Sequence, residues 1–242
     1  MSAVPDRTLA RQAEMAFSRA VRALPDDALE APSLLPGWSR ATLISHVTSN
    51  AAAFSRALNG AVNGGDTAMY KDRAERDGQI KAGAELPAAQ LRARSDQAAA
   101  LLDSVWAGLS PEQWDLNFTS GQGAQVPLRK SVDARAREVW VHLVDLGSDA
   151  AFDDVPPEVT EAVLREVWKM WSARGAQNGL AISTLDAAGA PLVLGTPESE
   201  GTTTVSGSLG SATGWATGRT LSGVTAQRRG EAAGIPAAPD WI

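Results

Sequence analysis

The apolar positions at the start of the chain recur at helix spacing. Leu9, Ala13, Ala16, Phe17, Ala20 and Leu24 share one face and predict a helix over about residues 6–24. Pro25-Asp26-Asp27 stops it. Leu34-Leu35-Pro36-Gly37-Trp38-Ser39 reads as a loop ending in a cap, because Ser39 can accept from the first free N–H groups of the next turn. The second helix runs to about Leu58 on Leu43, Ile44, Val47, Ala51 and Phe54, before Asn59-Gly60 and Gly64-Gly65-Asp66. Residues 66–86 are polar, with a short helix around Asp72–Ile80. A third long helix follows Pro87, with Leu91, Ala98, Leu101, Leu102, Val105 and Leu109 as its stripe. Ser110-Pro111-Glu112 opens a turn and Gly121-Gln122-Gly123 is a loop. The fourth long helix covers roughly 128–147 and stops at Gly147. Four long helices with unequal connections predict a four-helix bundle with at least one crossover.

The texture changes at Asp153 and Pro156-Pro157. One more helix is expected over about 157–173, on Val159, Val163, Val167, Met170 and Trp171, ending at Gly175. Short β-like runs follow at Leu180–Leu185, Pro191–Leu194 and Thr202–Val205. Ser208–Thr217 reads as a short helix, and the tail from Gly234 to Asp240 as extended chain. The pattern defines an α+β protein: a helical bundle domain over 1–153 and a small α/β domain over 154–242. No internal repeat is evident.

Composition narrows the function. The chain has 242 residues, 44% of them hydrophobic and 21% charged, with a formal net charge of -6. An acidic chain without a Lys/Arg block is not expected to bind nucleic acid, which needs a basic surface to displace counterions. No apolar run approaches the roughly 18 residues of a membrane span. The start, Met1 to Gln12, has no basic stretch followed by an apolar one, so no leader is expected and the cytoplasm is the expected compartment. There is no cysteine. Disulfides, zinc–thiolate sites and a cysteine nucleophile are excluded. There are only two histidines. Any metal site with imidazole ligands must draw on His46 and His142, with a carboxylate or amide as third protein ligand.

Glu138 and His142 stand four apart on the fourth helix. At 3.6 residues per turn their side chains are about 40° apart on one face, one turn above the other. That spacing lets two ligands grip one ion. An arbitrary Glu-x-x-x-His is usually a solvated polar face. Here the run Glu138-Val-Trp-Val-His142-Leu-Val-Asp-Leu146 is apolar almost all round, so the helix is buried and the carboxylate needs a partner. His46 lies between Ile44 and Val47, beside the apolar face of the second helix. Alone it would read as a hydrogen-bonded core histidine. With His142 in a similar setting, the two point to one shared site between bundle helices. Two His and one carboxylate leave positions open on an ion, as in catalytic zinc sites. The same set resembles the non-haem iron facial triad, so the donors alone do not choose the metal. Asp145 and Arg135 extend the stripe; they read as surface charges in preference to groups supporting the ligands.

The stretch Leu35-Pro-Gly-Trp38-Ser-Arg-Ala-Thr-Leu-Ile-Ser-His46 resembles the second-helix signature of the DinB-like metalloenzymes. Arg137-Glu138-Val-Trp-Val-His142-Leu-Val-Asp-Leu-Gly147 resembles the fourth-helix signature of one branch, the mycothiol-dependent maleylpyruvate isomerases. Gly65-Asp-Thr-Ala-Met69-Tyr70, Val205-Ser-Gly-Ser-Leu209, Trp215-Ala-Thr-Gly-Arg219 and Pro239-Asp-Trp241-Ile242 also look like that branch. The resemblance implies a zinc-binding DinB-like bundle and a small C-terminal α/β domain. It implies a low-molecular-weight thiol, mycothiol, as cosubstrate, and cis-to-trans isomerisation of maleylpyruvate to fumarylpyruvate, a step of gentisate breakdown. A chain without cysteine would take its sulfur from outside. Two other readings remain: another mycothiol-dependent S-transferase of the superfamily, or a non-catalytic metal-binding module. By position, Arg219 reads as a surface cation near a helix C-terminus. A dicarboxylate substrate gives it a second reading, because its planar paired donors suit carboxylates and an enolate. The oligomeric state is left open.

Overall fold

The computed structural model describes residues 4–241, so Met1–Ala3 and the final Ile242 of the last family-like stretch lie outside the described residues. The chain divides into two compact units, one up to Ser148 and one from Asp149.

The first unit is a bundle. Its helices are α1 (Thr8–Ala23), α2 (Arg40–Asn63), α3 (Arg73–Ala84), α4 (Ala88–Ala107) and α5 (Lys130–Asp145). α2 packs along α4 and α3 and also meets α5, and α1 packs along α5. Ser39 caps α2 as its sequence suggests, accepting from the Thr42 amide at 3.2 Å. α3 is a turn longer than the predicted Asp72–Ile80. Asp72 caps it, and the extra turn buries Gly83 against α2. A Cβ at Gly83 would lie 2.2 Å from Ser45 Oγ, so only glycine permits this close approach. Ser45 then donates to the Ile80 carbonyl at 2.7 Å, fixing α3 across the first half of α2.

Between α4 and α5 the chain forms a two-stranded antiparallel ladder, β1 (Asn117–Thr119) with β2 (Gln125–Pro127). The sequence pattern gives only a loop here, since three-residue strands are too short to display alternation. Thr119 also receives the preceding loop: its carbonyl accepts from Met69 N at 3.1 Å, and its amide donates to Thr67 O at 2.9 Å. The bundle core gathers Phe54, Leu58, Leu102, Trp106, Trp114 and Phe118.

The second unit contains α6 (Pro157–Arg174), β3 (Leu180–Leu185), β4 (Pro191–Leu194), β5 (Thr203–Gly207), α7 (Leu209–Ala216), β6 (Val224–Arg228) and β7 (Glu231–Ala233). The strands form one sheet in the order β4-β3-β5-β6-β7, with β3 and β5 parallel and the other pairs antiparallel. α6 packs on α7, and α7 covers β3, β5 and β6. Trp171 and Trp215 are fully buried there, edge to face with ring centres 5.7 Å apart. Their indole N–H groups donate to Pro239 O at 3.0 Å and Pro236 O at 2.8 Å, which ties down the tail. The tail itself has no regular element. β6 and β7 are absent from the sequence-based expectation. Only Val224 and Ala226 of this hairpin face the core, and its turn uses Arg229 (φ 54°) and Gly230 (φ 79°) rather than the familiar Asn-Gly pair.

Candidate metal centre

His46 comes from the second turn of α2, Glu138 and His142 from the second half of α5. One ligand atom from each lies within 4.8 Å of the others. His46 Nε2 is 2.8 Å from Glu138 Oε1, and His142 Nε2 is 3.5 Å from the same oxygen. The imidazole rings meet edge to face with centres 4.9 Å apart, and Trp38 stands edge-on to His46 at 5.3 Å. The histidine side chains are 8% and 11% exposed and the carboxylate 24%, so the carboxylate is the most open of the three.

Two features set the direction of α5. Arg40, in the first turn of α2, donates from Nε to Leu146 O and from Nη2 to Gly147 O, each at 2.8 Å. Arg135 is buried, one turn before Glu138. It donates to Glu14 Oε1 at 2.7 Å on α1, and to Val47 O at 2.8 Å and Asn50 Oδ1 at 2.9 Å on α2. A buried arginine held in three directions fixes the rotation of its helix, and with it the face that carries Glu138 and His142. Asp145 is fully buried and accepts from His142 Nδ1 at 2.8 Å. Reading Asp145 and Arg135 as surface charges is therefore corrected. The helix is enclosed at these positions too, and each charge has a hydrogen-bonded partner. The apolar surroundings that singled out Glu138 were the signal for Asp145 as well.

The charges are mutually consistent. Burial and two imidazole hydrogen bonds compete at Glu138; the bonds win and hold its carboxyl well below the usual range. Burial disfavours the His142 imidazolium, yet its bonds to Asp145 and Glu138 raise its pKa to about 9. At His46 burial prevails over Glu138 and lowers the pKa. The donor set fits a divalent ion. Both Nε2 atoms converge on one carboxylate oxygen, and Asp145 holds His142 by Nδ1, leaving Nε2 to face an ion.

Arg219 lies in the second unit, just past α7. It is half-buried, donates to the Thr217 carbonyl, and its guanidinium carbon is 5.5 Å from the centre of the Trp241 ring. The sequence position alone suggested an exposed cation; the returning tail half-covers it.

A bundle that gathers His, Glu and His from two helices, followed by a small mixed-sheet unit, defines a candidate metalloprotein of two compact parts. The family model "Mycothiol maleylpyruvate isomerase N-terminal domain" matches residues 10–147. Two solved structures, of a mycothiol-dependent maleylpyruvate isomerase and of its histidine-to-alanine variant, are each 33% identical with a TM-score of 0.85. They cover 97% of this chain and 95% of theirs. No curated protein matches the chain. The chain belongs to the mycothiol-dependent maleylpyruvate isomerase family. Among the described residues no helix is long and apolar enough to cross a membrane.

Proposed function

We propose that this chain is a zinc- and thiol-dependent cis–trans isomerase that converts maleylpyruvate to fumarylpyruvate with mycothiol. The observation that carries the reading is the convergence of His46, Glu138 and His142 in a chain without cysteine. His46, Glu138 and His142 would hold the ion, and Asp145 would orient His142. A divalent ion there supplies Lewis acidity that lowers the pKa of an external thiol.

The reaction follows from the substrate. Rotation about a conjugated C=C bond is blocked. Thiolate addition forms a C–S bond and moves the π electrons onto the carbonyl oxygen as an enolate. The former double bond is now single and turns. Collapse of the enolate re-forms C=C in the trans geometry and expels the thiolate, so no atom is gained or lost. The chain must bind two carboxylates and an oxyanion while keeping its own carboxylates engaged. Asp145 is committed to His142 Nδ1, and Glu138 would be committed to the ion. We assign Arg219 to the carboxylates of the substrate, as a planar paired donor.

The test is conversion of maleylpyruvate by zinc-loaded protein with and without mycothiol. Turnover only with both thiol and metal is expected. Full rate in thiol-free buffer overturns the mechanism. Failure on maleylpyruvate with turnover of another electrophile makes the chain an S-transferase of the same family.

A further inference from the structure

α3 brings a cation to the cluster. Arg76 Nη2 donates to His46 Nδ1 at 3.4 Å, while Nη1 holds Asp77 at 3.1 Å. The contact exists because Gly83 and Ser45 let α3 lie directly on α2. It also fixes a tautomer. A guanidinium only donates, so Nδ1 must present its lone pair and the ring proton sits on Nε2, facing Glu138. An ion held by His46 Nε2 would leave the proton of a neutral ring on Nδ1. Arg76 would then face an N–H and lose its acceptor. The ligand state of His46 and the free hand of Arg76 are therefore linked.

Tyr70 supplies a second donor. Its segment is held in place on both sides: Met69 N and Thr67 O bond to Thr119, and Arg56 Nη2 donates to Met69 O at 3.1 Å. The phenol ring packs on Gly121, with its edge 3.8 Å from where a Cβ there would be. The hydroxyl is shut off from water and has no hydrogen-bond partner among the described residues. Burial holds its pKa above the usual value, and it lies within electrostatic reach of Arg76 and Glu138. A buried hydroxyl without a partner is uncommon and unfavourable, and such groups call for a reason.

We propose that Tyr70 and Arg76 form a donor pair beside the His46–Glu138–His142 cluster that binds a carboxylate or enolate oxygen of the unsaturated dicarboxylate. This rests on reading the cluster as the metal centre. Arg76 contributes charge once its bond to His46 is given up, and Tyr70 its unpartnered O–H. Both are donors, so the ligand atom must be an acceptor. With Glu138 on the cluster, an anionic substrate needs cations from its surroundings, and α3 supplies one within the first unit.

Maleate, a cis-dicarboxylate without the reactive ketone, is the probe. Its binding to zinc-loaded full-length protein is measured by calorimetry for wild type, Tyr70→Phe and Arg76→Gln, with metal content determined for each. All three are expected to hold zinc at equal stoichiometry. The maleate Kd is expected to rise about tenfold in each variant, the scale of a lost hydrogen bond to a charged group. Tyr70→Phe deletes one unpartnered atom, so it should melt no lower than wild type in the absence of ligand. A lower melting temperature would make the hydroxyl structural and overturn its role. Zinc-loaded variants that bind maleate like wild type, or a zinc-loaded wild type that does not bind it, overturn the donor pair and leave the metal centre standing. A wild type that takes up no metal overturns both readings.

Discussion

The two units bury polar chemistry in opposite ways. In the first, charged side chains lie inside: Arg135 and Asp145 are fully buried, and His46 and His142 nearly so. Each is matched to a partner on the same or a neighbouring helix. In the second, the largest buried side chains are Trp171 and Trp215, whose polar atoms are single N–H groups answered by backbone carbonyls of the tail. Among the described residues its buried polar side chains are threonines. A bundle holds convergent ionisable groups because its facing helices supply side chains from several directions at one level. A sheet covered by helices here stabilises itself by apolar area, and its charged groups, Arg219 among them, lie toward the margin.

This contrast is open to disruption. The largest effect is expected from His142→Ala, which removes one of the three proposed ligands while leaving the second unit untouched. Bound zinc should be lost and kcat/KM should fall at least about ten-thousandfold, or about 5 kcal/mol. Metal analysis with circular dichroism checks it, and a zinc-loaded, fully active variant would break the assignment. Trp171→Ala attacks the other unit. Loss of a buried aromatic from a packed core costs about 3–5 kcal/mol. Denaturant unfolding should show this loss while zinc stoichiometry is retained; loss of zinc would mean that the units do not divide chemistry from packing. Asp145→Asn is intermediate, with metal affinity expected to weaken about 10–100-fold as the carboxylate support of His142 is lost. Competition with a chromophoric chelator measures it. Arg219→Lys should be smallest, with normal metal content and kcat/KM down about tenfold, or about 1.4 kcal/mol. Wild-type kinetics would leave Arg219 as a packing cation for Trp241.

Much of this was legible in the sequence. The periodic stripes of α1, α2, α4, α5 and α6 gave helices within a few residues, because each buries one apolar face. His46, Glu138 and His142 could be proposed together because two histidines in the chain leave few combinations. Other features carried no local signal. Arg135 looks like an ordinary helix-surface residue until the fold encloses it. Arg76 reaches His46 through a helix crossing that depends on Gly83, a residue indistinguishable by pattern from any helix-weakening glycine. Tyr70 was visible as part of a family-like stretch, but its unpartnered hydroxyl is a property of packing alone. β6 and β7 were missed because their core-facing positions are few and small.

The fork from Arg40 has a consequence for motion. α5 ends only three residues after His142, and terminal turns of helices ordinarily fray, since their last carbonyls have no partner inside the helix. Here the carbonyls of Leu146 and Gly147 are taken by Arg40, and that of Asp145 by the Leu34 amide at 2.8 Å. The amides of Leu146 and Gly147 bond back to His142 O and Val144 O, both at 3.0 Å, so the turn is closed from within and without. Opening it requires the start of α2 to let go as well. Hydrogen exchange at these two amides should therefore follow the slow opening of the α2–α5 pair, and His142 sits on a turn whose lifetime is set by two helices.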